Sequence, residues 1–257
     1  MRDLIIKRLH EIEKNEQIRI LLAVESGSRA WGFDSPDSDY DVRFIYVRNH
    51  SDYLKLEKVR DVIELPIKDL LDINGWDLAK TLRLLYSSNP TLFEWFSSPI
   101  VYYENEDFCK KFRKLLNEYF LSKKELYHYL SMAKGNYREF FQGDIVKAKK
   151  YFYVLRPILA CKWIIEKNTA PPMSFRELLY EEMEPSLIPE VERILDIKVN
   201  SPETKMIPRI DCVNEYLENS LEELSKLVSS LPKHQNSKWE PLNRLFYETV
   251  TDIKLNE

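Results

Sequence analysis

The chain has 257 residues, 44% hydrophobic and 31% charged, which excludes a disordered or fibrous protein and leaves room for one large domain or two modest ones. Its formal net charge of −4 offers no bulk attraction to polyanions, so a nucleic acid would have to be met by a local basic patch.

The first fourteen residues carry charges throughout and no apolar core of signal-peptide length; Leu4, Ile5, Leu9 and Ile12 fall at helical spacing. No later run approaches the ~20 apolar residues that span a bilayer. Cys109, Cys161 and Cys212 are widely separated and lack metal-ligand spacing. Such a set suits reduced thiols, and a cytoplasmic protein is expected.

Two short apolar runs, Ile18 to Val24 and Val42 to Val47, read as strands. A Gly27-Ser28 turn leaves the first, and Asp39 and Asp41 open the second. Alternate strand residues share a face, so the two carboxylates are expected side by side. They would repel unless a cation lay between them, and the hard cation suited to oxygen ligands is Mg²⁺. The glycine turn offers close backbone approach and free amides, which suit a phosphate. Gly27 and Gly32, two of the chain's five glycines, both fall here. An isolated Asp-x-Asp is ordinary strand-end chemistry, and Asp34-Ser-Pro-Asp is an ordinary turn. The composite of turn, loop and paired acids is more specific and points to phosphoryl or nucleotidyl transfer.

Further along, Asp61 to Ile67 reads as a third strand, and Leu70 to Asn74 as a fourth that closes at Gly75. Asp77 is placed to cap the helix that follows; Asn89-Pro90 stops that helix, and Thr91 to Ser97 gives another. Beyond about residue 105 strand signals vanish. Helical patterns run over Glu106–Phe120, Lys123–Phe141, Asp144–Lys167, Phe175–Met183, Asp211–Leu231 and Lys238–Val250. Ser122 and Asp144 read as N-caps, Gly143 as a helix stop and Pro171-Pro172 as a hinge or loop. The expected architecture is α+β: a small mixed-sheet domain over residues 1–105 and an all-helical domain over 106–257.

In the Asp144–Lys167 helix, Ala148, Phe152, Leu155 and Leu159 form a core stripe, and Lys149, Tyr153 and Arg156 an adjoining one. The second stripe suits either a solvated basic face or a clamp on a triphosphate; Pro157 should kink the helix nearby.

Gly27-Ser28 followed by Asp39-x-Asp41 resembles the signature of the DNA polymerase β-like nucleotidyltransferase superfamily. The fuller string GSRAWGFDSPDSDYDVRFIY is similar to its YcgL/RlaP-type branch, which is associated with RNA repair. DINGWDLAKTLRLL, SNPTLFEWFSSPIVY and KKYFYVLRPILACKW extend the likeness from near residue 20 to beyond residue 175; the final third carries no matching string.

The resemblance implies a polymerase β-like catalytic domain and two Mg²⁺ ions held by Asp39, Asp41 and a third carboxylate. Asp61, Glu64, Asp72 and Asp77 are the candidates for the third. The resemblance favours Asp72, and Asp77 is better explained as a helix cap; Glu64 is the runner-up, since it sits mid-strand in an apolar run where an unpaired carboxylate would be costly, and Asp61 stays open. Gly27 and Ser28 would support the β and γ phosphates of an NTP, ATP being the expected one, with Arg29 beside them and Lys149, Tyr153 and Arg156 as the clamp. Arg43 shares the face of Asp39 and Asp41, so it suits an ion pair with them or a phosphate contact.

The implied acceptor is an RNA end. Lys110 to Lys114 and Lys147 to Lys150 are basic clusters of a kind ordinarily found as solvated helix faces. Transfer to a protein or small-molecule hydroxyl, and nucleotide binding without turnover, are the alternatives. Trp31, Trp76 and Trp95 are core residues by default, or a lining for the nucleotide. His10, His50, His128 and His234 are scattered, and none is placed to activate Ser28.

Overall fold

A computed structural model of the protein describes residues 1–68, 70–231 and 238–252; His234 lies outside them. Eleven α-helices and seven strands follow one another among the described residues. The order is α1 (Arg2–Glu16), β1 (Ile18–Ser26), α2 (Gly27–Trp31), β2 (Tyr40–Arg48), β3 (Val62–Glu64), β4 (Leu71–Asp77), α3 (Leu78–Tyr86), α4 (Pro90–Phe96), β5 (Val101–Glu104) and α5 (Glu106–Tyr119). Then come α6 (Ser122–Phe140), β6 (Ile145–Lys147), α7 (Ala148–Lys167), α8 (Phe175–Glu182), α9 (Ile188–Val199), β7 (Met206–Pro208), α10 (Asp211–Ser230) and α11 (Glu240–Asp252). The chain divides into two compact units. The first holds Met1–Gly27, Asp39–Phe120 and Asn236–Glu257; the second holds Ser28–Ser38 and Leu121–Gln235.

The first unit is built on a five-stranded sheet of order β3-β4-β2-β1-β5, in which β2 and β4 run parallel and the other pairs antiparallel. Ile5, Leu9 and Ile12 of α1 pack with Ile18, Ile20, Val42, Phe44, Tyr46, Leu71 and Ile73, the apolar alternates of three strands. Strand alternation therefore turns Asp41, Arg43 and Asp72 to the opposite face.

Gly75 does not close β4, which runs on to Asp77. It pairs with Phe44, whose buried ring lies where a side chain at 75 would stand: a Cβ there would come within 2.2 Å of the ring. Gly75→Ala is expected to destabilise by about 1–3 kcal/mol through overpacking, read as a fall in the urea midpoint without a change of slope.

Asp77 caps α3. Its carboxylate accepts from Ala79 N at 2.7 Å and from the Tyr53 hydroxyl at 2.8 Å. Burial pushes this carboxyl above its ordinary value, and those two bonds pull it back.

The helices α5 and α11 belong to the first unit, so the expected division at residue 105 is drawn differently. The reason is apolar burial. Phe112 of α5 stacks on Phe96 at 4.3 Å, Phe246 of α11 meets Tyr53 at 5.1 Å, and Trp239 stacks on Tyr86 at 3.7 Å. An amphipathic helix shows in sequence that it needs a partner face, not which one.

Three further expectations need correction. β5 and α9 carried no recognised signal, and strands do recur after residue 105: β6 pairs with β7. That pairing takes residues 145–147 out of the helix, so α7 starts at Ala148 and Asp144 is not its cap. Ser122 is the first residue of α6, whose cap is Leu121.

In the second unit α7 is buried around most of its circumference, from Tyr151 and Phe152 through Val154 to Cys161, and it runs through Pro157 as one helix. The segment Ser28–Ser38 joins this unit because Phe33 packs between Phe152 and Phe175, with ring centroids 5.1 and 5.6 Å away. A polar cluster holds the far end of the segment. Lys198, buried, reaches the hydroxyls of Ser35 and Ser38 at 3.3 and 3.4 Å, and Ser38 donates to Glu203 at 3.0 Å. Burial pushes the Lys198 ammonium below its ordinary value, and Glu203, Asp34 and Asp37 oppose that.

Candidate active site

The parallel ladder between β2 and β4 pairs Tyr40 with Leu71 and Asp41 with Asp72. Directly opposed residues on neighbouring strands present their side chains side by side. Asp41 and Asp72 are thereby adjacent by backbone register, and both are half-buried. Asp39 lies one residue before β2 and is exposed, so it precedes the strand rather than opening it.

Arg43, next on the same face of β2, joins the two acids. Its Nη2 donates to Asp41 Oδ1 at 2.9 Å and to Asp72 Oδ2 at 2.7 Å; Nη1 donates to the main-chain oxygens of Asp72 and Val42 at 2.9 and 3.2 Å. Of the two roles expected for Arg43, the structure displays the ion pair.

The other candidates for the third carboxylate stand elsewhere. Glu64 is an exposed residue of the edge strand β3, paired with Arg60 at 2.5 Å, and not a buried mid-strand acid. Asp61 lies 3.9 Å from Lys80, and its carbonyl accepts from Asp77 N at the other end of β4.

Gly27 closes β1 against the site. Its φ is +69°, a left-handed conformation that favours glycine, and a Cβ there would lie 2.3 Å from Asp41 Oδ2. Its bare backbone thus borders the Asp41 carboxylate.

Glu25, which the motif reading left without a role, is fully buried. Its Oε1 accepts from Asp41 N at 2.7 Å, and its Oε2 accepts from the Tyr102 hydroxyl. Burial first, and then that carboxylate, raise the Tyr102 pKa. The signal in the sequence was an acid ending an apolar strand two residues before the glycine turn. Glu25→Leu is expected to lower stability by about 1–3 kcal/mol by stranding the Asp41 N–H, whereas Glu25→Gln, which keeps an acceptor, loses less; chemical denaturation of the pair checks this.

Gly27 apart, the residues expected at the phosphates, Ser28, Arg29, Lys149, Tyr153 and Arg156, sit in the second unit. Arg29 bonds Asp34 at 2.9 Å and the Ser38 carbonyl at 2.7 Å, bracing the segment's own turn. Ser28 is half-buried, and its carbonyl accepts from Phe33 N at 3.0 Å. Lys149 pairs with Glu203 at 2.6 Å. Burial alone would raise the Glu203 pKa, but Lys149 and the Ser38 hydroxyl bring it below its ordinary value. Tyr153 meets Trp31 edge-on at 6.4 Å. Arg156 is 3% exposed and lies over the Trp31 ring at 4.8 Å, so the stripe is not a solvated basic face at that position.

Trp95 is buried against Trp76 with ring centroids 4.2 Å apart. In the basic cluster of α5, Lys111 pairs with Asp107 and Glu248, and Arg113 with Glu104.

The donor chemistry fits Mg²⁺. Asp41 and Asp72 supply adjacent hard oxygens, and the cradle beside Asp41 is one that a side-chain carbon at residue 27 would fill. Among the described residues no three His, Cys, Asp or Glu side chains form a ready ligand set. The paired acids and their guanidinium are the arrangement present.

The uncharacterized protein YcgL of Bacillus subtilis (strain 168) is 48% identical over 254 residues, 98% of each chain. A nucleotidyltransferase-like protein from Exiguobacterium sibiricum 255-15 aligns with 97% of this chain and 80% of its own, at 14% identity and a TM-score of 0.31, from which no shared fold follows. The sequence model of the RNA repair pathway DNA polymerase beta family, RlaP, matches residues 1–248, so the likeness extends through the final third as well. A general nucleotidyltransferase role goes with that family. The chain belongs to the RNA repair pathway DNA polymerase beta family.

Proposed function

We propose that the protein transfers a nucleoside monophosphate from an NTP, ATP being the expected one, to the hydroxyl of an RNA end and releases pyrophosphate. The observation that carries this reading is the register that sets Asp72 beside Asp41, with the bare backbone of Gly27 against the Asp41 carboxylate. Asp39, Asp41 and Asp72 would hold two Mg²⁺ ions, which supply charge neutralisation of the triphosphate and polarisation of the attacking hydroxyl. Asp72 would orient that hydroxyl toward the α-phosphorus and take up its proton. The amide of Gly27 and the hydroxyl and amide of Ser28 would support the β and γ phosphates. Lys149 and Tyr153 of the second unit are proposed as nucleotide-binding residues, Lys149 being paired with Glu203; Arg156, buried on Trp31, would act by holding that aromatic group in place. Positioning and charge neutralisation would supply most of the rate.

Cys109 and Cys161 are buried and free, their thiols pushed up to about 12 by burial and so held inert; a reducing, cytoplasmic setting is proposed from the scattered cysteines. Among the described residues no helix is long and apolar enough to cross a membrane.

One observation favours a second reading, nucleotide binding without turnover: a guanidinium already neutralises two of the three acids. α-Labelled ATP with Mg²⁺, offered to RNA, protein and small-molecule acceptors in parallel, tests both. Label in RNA with release of pyrophosphate is expected. Label in another acceptor would replace the RNA assignment, and binding without pyrophosphate release would favour the second reading.

A further inference from the structure

We propose that Arg43 occupies the cation position between Asp41 and Asp72 and has to withdraw before a divalent ion binds there, so that the guanidinium sets the site's affinity for the ion. This rests on the metal-site reading above and adds a control to it. Three observations carry it.

First, a single nitrogen, Nη2, donates to both carboxylates, at 2.9 and 2.7 Å, the bridging role an ion would have. Second, the carboxylates are side by side because of backbone register, not because the arginine gathers them; without a cation they would repel. Third, the guanidinium is anchored by Nη1 on the Asp72 and Val42 carbonyls and comes from the same strand as Asp41, so little freedom is lost in holding it there. Its side chain is 19% exposed, against 28% and 30% for the two acids, so it reaches solvent.

A dication bound to the same oxygens would meet the guanidinium's positive charge at contact distance. Binding is therefore an exchange, Arg43 out and the ion in, and not addition to a vacant pair.

The test is Mn²⁺ titration of the full chain, free ion being read by electron paramagnetic resonance, for wild type, Arg43→Gln, Arg43→Lys and Asp41→Asn. Arg43→Gln should bind Mn²⁺ about tenfold more tightly than wild type, since the competing charge is gone while both carboxylates remain. Arg43→Lys should fall between, its ammonium being a compact charge without the fork. Thermal melting gives a second readout: Arg43→Gln should melt below wild type without metal and gain more from added Mg²⁺.

If Arg43→Gln binds Mn²⁺ no more tightly than wild type while Asp41→Asn is impaired, the exchange is wrong and the metal site stands. Should Asp41→Asn bind as well as wild type, or no protein bind, the metal site itself falls and takes the exchange with it. Where Arg43→Gln does not fold, Arg43→Lys decides by the same comparison.

Discussion

Asp41→Asn is expected to lower nucleotidyl transfer by about 10³-fold or more while leaving the protein folded. Asparagine keeps the size of the side chain and an oxygen that can accept from Arg43, so the contact at 2.9 Å has a replacement. What is lost is the charge. A neutral amide is a poor ligand for a hard dication and leaves the triphosphate uncompensated. Asp72→Asn should behave alike, because its carboxylate shares the same guanidinium at 2.7 Å.

Glu64→Gln supplies the contrast. Glu64 is exposed at the sheet edge, paired with Arg60, and its loss should leave turnover within about twofold, as surface charges away from a site ordinarily do. Single-turnover rates with labelled ATP, beside circular dichroism of each variant, check the set. Turnover by Asp41→Asn within a few-fold of wild type would remove the acids from the chemistry.

Gly27→Ala should show the second large effect, on stability and activity together. The left-handed backbone at φ +69° costs a non-glycine residue about 1–2 kcal/mol. The added carbon would also stand 2.3 Å from Asp41 Oδ2 and 3.0 Å from its Cγ, so the carboxylate or the turn has to move. A displacement near 1 Å at a reacting centre is worth about 10²-fold in rate. The expected result is a loss of about 2–4 kcal/mol in urea unfolding together with roughly that rate loss. The two causes separate in an Asp41→Ala background. There the steric partner is gone, so Gly27→Ala should cost less, leaving the backbone part.

Much of the candidate site is legible in the sequence because it is local. Gly27 and the acids at 39 and 41 lie within fifteen residues of one another, and the strands on either side announce themselves by apolar runs. Asp72 came from family resemblance and not from spacing. Thirty residues separate it from Asp41, and its place beside that residue is a property of the β2–β4 register. Glu25 carries no such signal for a related reason: an acid at the end of a strand reads as solvated until its burial and its bond to Asp41 N are known.

The sequence by itself determined the residue types, the strand and helix periods of the longer elements and the family, since each is written in neighbouring positions. Only the tertiary structure decided which partners those elements take. It placed α5 and α11 with the sheet, drew Ser28–Ser38 into the helical unit through Phe33, turned residues 145–147 into a strand and set Arg43 between two carboxylates from different strands. Burial and pairing between distant segments depend on which apolar faces meet, and a one-dimensional pattern shows that a face must be covered without saying by what.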